Sequence, residues 1–297
     1  MKIIAIIVTY NRLELLKQSI DAVLAQTVKP ESLIVIDNNS TDGTKEFLDN
    51  FKDDALKAIH LEENIGGAGG FSYGIKMAVR EGCDWVWIMD DDTIPERNAL
   101  EELTYVAQKN PDAGYLSSRA LWTDGDMHVM NCQWMPNKKV INKNTPIDTP
   151  LRIKSASFVS LMINAKAIME VGLPYKEFFI WCDDSEYTSR IFEAGYPCYY
   201  VGKSVVIHKT ATNYMPSLAD APKETAWKFY YNMRNNVFLR RKKYKNSIIA
   251  FVKILNYYRL ELRHLNKRPS ADRNIFKKEL KKGFWDGLKF NAEVEMA

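Results

Sequence analysis

The chain has 297 residues, of which 46% are hydrophobic and 26% charged, with a formal net charge of +4; this is enough for one or two domains with a core and excludes a disordered or fibrous chain. The longest uncharged apolar run near the start, 3–8, falls far short of the ~20 residues of a membrane helix or the ~7–15 of a signal-peptide core, so a cytoplasmic protein is expected. Cys83, Cys132, Cys182 and Cys198 show no CxxC spacing, which suggests neither a zinc knuckle nor a disulfide framework.

In chain order, 3–8 reads as a strand buried on both faces, and Leu13, Leu16, Ile20 and Val23 follow at helical spacing. The unit recurs. A strand over 33–36 ends at Asp37-Asn38-Asn39-Ser40 and leads to a helix over about 42–51. A strand over 58–61 precedes a Gly-rich turn and a helix ending near Gly82. A strand over 85–89 ends at Asp90-Asp91-Asp92, with a helix over about 97–109. This alternation predicts an α/β fold with a parallel, doubly wound sheet. The pattern turns irregular over 114–147. A long strand is then expected over 153–163, a helix over 184–194 and a strand over 198–207 ending at His208, with helices from Pro222 to the end, broken near 267–270.

Charge divides the chain at about the same place. Residues 1–221 carry 22 Lys and Arg against 30 Asp and Glu, net −8, whereas 222–297 carry 19 against 7, net +12. We therefore expect one domain over 1–221 and a basic helical region over 222–297. The cluster Arg240-Arg241-Lys242-Lys243 beside 248–252 fits peripheral contact with an anionic membrane at the cytoplasmic leaflet, with an oligomer contact as the rival. No nucleic-acid recognition motif is present.

Ligands of such sheets bind beyond the carboxyl ends of the strands, and Thr9, Asp37, Asn64 and Asp90 to Asp92 stand there. Three adjacent carboxylates repel one another unless a cation offsets them, which points to Mg²⁺ or Mn²⁺ bridging to a phosphate. The run Asn64-Ile65-Gly66-Gly67-Ala68-Gly69-Gly70 offers backbone N–H groups to a pyrophosphate, yet it matches neither the G-x-G-x-x-G fingerprint nor a P-loop. Asp183-Asp184-Ser185-Glu186 has the form of a capping box, Asp183 as N-cap and Glu186 reaching back, which leaves Asp184 over.

The ordered set Thr9-Tyr10-Asn11-Arg12, Asp37 to Gly43, Asn64-Ile65-Gly66-Gly67, Asp90-Asp91-Asp92, Trp181-Cys182-Asp183-Asp184 and His208 resembles the family 2 inverting glycosyltransferases of the GT-A fold over 1 to about 210. The full Asp triplet, the Trp-x-Asp-Asp segment and Tyr-Tyr-x-x-Arg-Asn ending at Asn235 are most similar to galactofuranosyltransferases. The resemblance implies a UDP-sugar donor, best read as UDP-galactofuranose, and a saccharide or lipid-linked saccharide acceptor in cell-wall, O-antigen or capsule synthesis.

It also implies roles. Thr9, Tyr10, Arg12, Asp37, Asn64, Gly66, Gly67 and Asp91 would bind the donor nucleotide. Asp90, Asp92 and His208 would hold the metal, Mn²⁺ in preference to Mg²⁺ because imidazole joins the carboxylates. Trp181 and Asp183 would meet the acceptor, and Asp184 would be the general base. A rhamnosyltransferase using dTDP-rhamnose, a nucleotidyltransferase and a non-catalytic UDP-sugar-binding scaffold are the other readings.

Overall fold

Every side chain of Ile3–Thr9 (β1) is buried, because this apolar run lies inside a sheet with helices against both faces. Alternate residues sort to opposite sides: Ile4, Ile6 and Val8 pack with Phe71 and Ile75, and Ile3, Ala5 and Ile7 with Leu16, Ile20 and Leu103. The computed structural model describes residues 1–244 and 246–297. They form two units, one of 1–176, 184–214 and 294–297, the other of 177–183 and 215–293.

After β1 the first unit runs through α1 (Leu13–Leu24), β2 (Ser32–Asp37), α2 (Thr44–Asp49), β3 (Leu56–His60), α3 (Gly66–Arg80), β4 (Trp85–Asp90), β5 (Thr93–Pro95) and α4 (Ala99–Lys109). β6 (Tyr115–Leu121), β7 (Leu151–Arg152), β8 (Leu161–Asn164), α5 (Ala165–Val171), α6 (Asp183–Glu193) and β9 (Cys198–His208) follow. The sheet order is β3-β2-β1-β4-β8-β6-β9-β5, with β7 on β9. β3, β2, β1 and β4 are mutually parallel, as the strand–helix alternation predicts, while β8 runs antiparallel to both β4 and β6.

Three expectations need correction. The irregular stretch over 114–147 opens with a regular strand, β6, hidden because Ser117, Ser118 and Arg119 interrupt its apolar pattern. The long strand over 153–163 reduces to β8. Upstream of it the backbone bonds elsewhere, Ile153 N–H to the Cys198 carbonyl (3.0 Å) and Ala156 N–H to the Thr188 hydroxyl (3.2 Å), and Ser160 turns through a φ of 53°. The Gly-rich run is the first turns of α3 rather than a turn before it. A Cβ at Gly70 would lie 2.6 Å from Val8 Cγ1 and one at Gly74 2.8 Å from Ile6 Cγ2, so glycine there lets the helix press onto the sheet.

The second unit packs α7 (Ala226–Lys243), α8 (Ser247–Asn266) and α9 (Ser270–Lys289) around Phe229, Met233, Val237, Ile254, Phe276 and Leu280. It begins at 215 rather than 222 and also takes 177–183, whose backbone carbonyls are bound by Arg234 and Asn235 of α7. Residues 294–297 return to the first unit, where Leu173 N–H donates to the Glu295 carbonyl (2.8 Å) and the Glu295 carboxylate pairs with Lys76 and Lys176.

Candidate active site

The parallel register sets the polar residues side by side: Thr9 is level with Asp37, and Val8 with Asp90. The chain turns after β4, and Asp91 Oδ2 accepts the Thr9 hydroxyl (2.8 Å) and the Tyr10 N–H (3.4 Å). Arg12 Nη1 reaches Asp92 Oδ2 at 2.5 Å and Asp91 Oδ1 at 3.3 Å. The guanidinium, expected on the phosphate side of a donor, is thus already held by two members of the acid cluster. The Tyr10 ring is exposed.

His208 arrives from the far end of β9, level with Thr93 of β5. Its Nε2 lies 3.1 Å from Asp92 Oδ1, and Asp90, Asp92 and His208 can bring ligand atoms within 4.8 Å of one another. Its Nδ1 faces Asn131 Oδ1 at 2.7 Å, so Nδ1 donates to Asn131 and the ring is oriented with Nε2 toward Asp92. His128 lies against the other side, with ring centroids 4.5 Å apart, and its Nε2 meets the Thr210 hydroxyl at 2.7 Å.

The electrostatics follow from crowding. Burial, reinforced by Asp92, pushes Asp90 up to about 7. Burial pushes Asp91 up to about 6 although Arg12 opposes it. Asp92 is held below the ordinary carboxylate value, since contact with His208 and Arg12 outweighs its burial. Burial and the neighbouring His208 bring His128 down to about 4, which keeps it neutral.

Asp37, expected to accept a bond from the nucleoside, already receives the Ser40 N–H on Oδ1 (2.9 Å) and His60 Nδ1 on Oδ2 (2.9 Å). Asn64 Oδ1 accepts the Gly66 N–H (2.8 Å), and Asn38 Nδ2 donates to the Gly66 carbonyl (3.0 Å), so this pair fixes the start of α3. Gly66 has a φ of 76°, and a Cβ at Gly67 would meet nothing within 4 Å.

Asp184 stands in the first turn of α6. Its Oδ1 accepts the Ser185 N–H (2.6 Å), and its backbone carbonyl accepts the Thr188 hydroxyl (2.7 Å). Burial pushes its carboxyl up to about 6 against that hydrogen bond. Glu186, read as the second half of a capping box, binds Arg190 through both carboxylate oxygens at 3.0 Å.

Trp181 and Asp183 belong to the second unit. The Trp181 ring meets Phe229 edge to face at 5.1 Å and packs on the helical core. Phe179, Trp181 and Cys182 all have φ between 64° and 70°, a conformation that non-glycine residues avoid. Asn235 Nδ2 meets the carbonyls of Phe178 (3.0 Å), Ile180 (3.3 Å) and Trp181 (2.9 Å), and Arg234 Nη2 donates to those of Glu177 (2.5 Å) and Phe178 (3.2 Å). Asn131 and this clamp escaped the sequence reading. The Arg-Asn pair was visible as part of a motif, but nothing local said what it binds.

A mixed sheet clothed by helices, with an Asp-x-Asp turn at the end of a parallel strand, defines the GT-A class of nucleotide-sugar transferase folds. Residues 4–170 match the family described as glycosyl transferase family 2, and the chain belongs to that family, so it is a glycosyltransferase. It is 27% identical over 207 residues to the galactofuranosyltransferase GlfT1 of Mycolicibacterium smegmatis, covering 65% of this chain and 66% of that relative. To the O-antigen chain rhamnosyltransferase RfbN of Salmonella typhimurium it is 27% identical over 225 residues, 73% of this chain and 68% of that one. The chain thus spans about two thirds of the length of the curated relatives it matches. Among solved structures, GalNAc-T7 with UDP, GalNAc and Mn²⁺ superposes with a TM-score of 0.60 at 17% identity, over 80% of this chain and 51% of that one.

Proposed function

We propose that this glycosyltransferase is inverting and metal-dependent, and that it moves galactofuranose from UDP-galactofuranose to a hydroxyl of a saccharide or lipid-linked saccharide acceptor in cell-surface polysaccharide synthesis. The observation that carries the metal dependence is the His208–Asp92 contact. Asp92 Oδ1 is buried with no hydrogen-bond partner, although the imidazole Nε2 is 3.1 Å away. A buried carboxylate oxygen without a donor, beside an imidazole nitrogen, is the arrangement a shared cation would satisfy, and two carboxylates with one imidazole suit Mn²⁺. Asp90, Asp92 and His208 would hold Mn²⁺, and a cation bound there would neutralise charge on a departing nucleoside diphosphate.

The remaining chemistry belongs to the chain's own residues. Thr9 and Arg12 fix Asp91 and Asp92, so the acid turn is set before a donor arrives. Asp37 and the N–H groups at the start of α3 receive the nucleoside and phosphate side. Asp184 takes the proton of the acceptor hydroxyl as its oxygen attacks the anomeric carbon. A carboxyl raised to about 6 is ionised at neutral pH, yet more basic than an exposed one. One in-line displacement inverts the centre and needs no covalent intermediate.

The donor choice rests on the likeness to a galactofuranosyltransferase and on the Trp-x-Asp-Asp segment. The likeness to a rhamnosyltransferase supports dTDP-rhamnose as the second reading. Incubation with UDP-galactofuranose and with dTDP-rhamnose, each with the Asp184→Asn variant as control, tests both. UDP release with an inverted product supports the first reading, and dTDP release supports the second. Equal turnover by Asp184→Asn removes the assigned base, and no turnover of either donor leaves the scaffold reading.

A further inference from the structure

Residues 225–260 hold nine Lys and Arg and not one Asp or Glu. Within this stretch α7 ends on Arg240-Arg241-Lys242-Lys243, and Asn246 starts α8 by accepting the N–H groups of Ile248 (2.9 Å) and Ile249 (3.2 Å). The first two turns of α8 bury only Ala250 and Ile254. Ile248 is 74% exposed, Phe251 51%, and Ile249 and Val252 49% each. Four large apolar side chains at one corner exceed the scattered exposure normal for a folded surface. Beside them opens a cavity of about 510 Å³, lined by Phe238, Ala250, Phe251, Ile254 and Leu288 together with Tyr244.

We propose that the α7–α8 corner docks on an anionic phospholipid surface, with Ile248, Ile249, Phe251 and Val252 entering the acyl boundary and the surrounding Lys and Arg lying among the headgroup phosphates. The charge pattern selects this occupant. A second copy of the chain would bring two acid-free basic corners together, and the aliphatic Ile and Val offer nucleic-acid bases no stacking face. No described helix is long and apolar enough to cross a membrane, so the contact is peripheral. The exposed lysines Lys243 and Lys253 flank the apolar residues and are the headgroup contacts most simply tested.

The test is sedimentation of the full chain with vesicles of phosphatidylcholine alone and of phosphatidylcholine mixed with phosphatidylglycerol. The chain is expected to bind the anionic vesicles, more weakly as salt is raised. Ile248→Ser/Phe251→Ser and Lys243→Gln/Lys253→Gln should each weaken that binding by about tenfold or more, with UDP affinity and melting temperature unchanged as evidence of an intact fold. In the Ile248→Trp variant the emission difference from the parent should shift to the blue with anionic vesicles alone. The proposal is overturned by absence of binding, by equal binding to neutral vesicles, or by variants that bind as the parent does. It is equally overturned if the apolar variant instead dissolves an oligomer seen by light scattering, or if the lysine variant loses nucleic acid rather than vesicles.

Discussion

Arg12 and His208 of the sheet unit and Arg234 of the helical unit meet opposite kinds of partner. At the strand ends Arg12 and His208 meet carboxylates: contact with them holds Asp92 down, while burial pushes Asp90 and Asp91 up. In the helical unit the buried Arg234 meets carbonyl oxygens and the faces of Phe290 (4.0 Å) and Tyr231 (4.8 Å), and burial draws its own proton affinity down. Basic side chains set against acids mark a place that a ligand can re-partition. A cation set against carbonyls is committed to holding backbone, here those of Glu177 and Phe178 just ahead of the left-handed Phe179.

Substitutions that confuse the two roles break this comparison. The largest effect is expected for Asp184→Ala, which should lower kcat by about 10²–10⁴-fold while UDP still binds. Near-normal turnover in steady-state assays would mean that the base is elsewhere.

Asn235→Ala comes next, because it removes one donor shared by the carbonyls of Phe178, Ile180 and Trp181 and loosens a strained segment. Urea denaturation should report a loss of about 2–3 kcal/mol, with Mn²⁺-dependent UDP affinity unaltered. Loss of that affinity instead would erase the distinction between clamp and ligand site.

Asn131→Ala removes the acceptor that fixes the His208 tautomer, and Mn²⁺ affinity measured by calorimetry should fall about 10–100-fold. The smallest change concerns pH. A carboxyl whose pKa is raised to about 6 from an ordinary 3.8 costs stability above pH 6 and none below 3.8. Asp184→Asn should therefore stabilise the protein by about 1–3 kcal/mol at neutral pH, with the gain vanishing near pH 4. In the parent enzyme, turnover should decline as pH falls through about 6.

The parallel half of the sheet was legible because β1, β2 and β4 are buried on both faces and end in polar residues that no core requires. The antiparallel half was not. β6 carries Ser117 and Ser118, and Ser118 bonds Ser160 and Ser204 of other segments inside the core at 2.7 Å each, so the strand looks like a loop in sequence. The acid turn and His208 were readable as types in order. That Arg12 binds Asp91 and Asp92, and that Glu186 binds Arg190, depends on side-chain directions that spacing does not encode. Asn131 and Asn235 lay beyond reach for a related reason: their partners are a ring nitrogen and three carbonyls brought in from distant sequence.

The central claim is that Asp90, Asp92 and His208 form a cation site serving a nucleotide. Its most direct test is calorimetric titration of the full chain with UDP and with dTDP, each with and without Mn²⁺, repeated on Asp92→Asn. The account predicts tight UDP binding only when Mn²⁺ is present, weaker dTDP binding, and loss of the metal's contribution in the variant. UDP binding of equal strength with and without Mn²⁺ would contradict it.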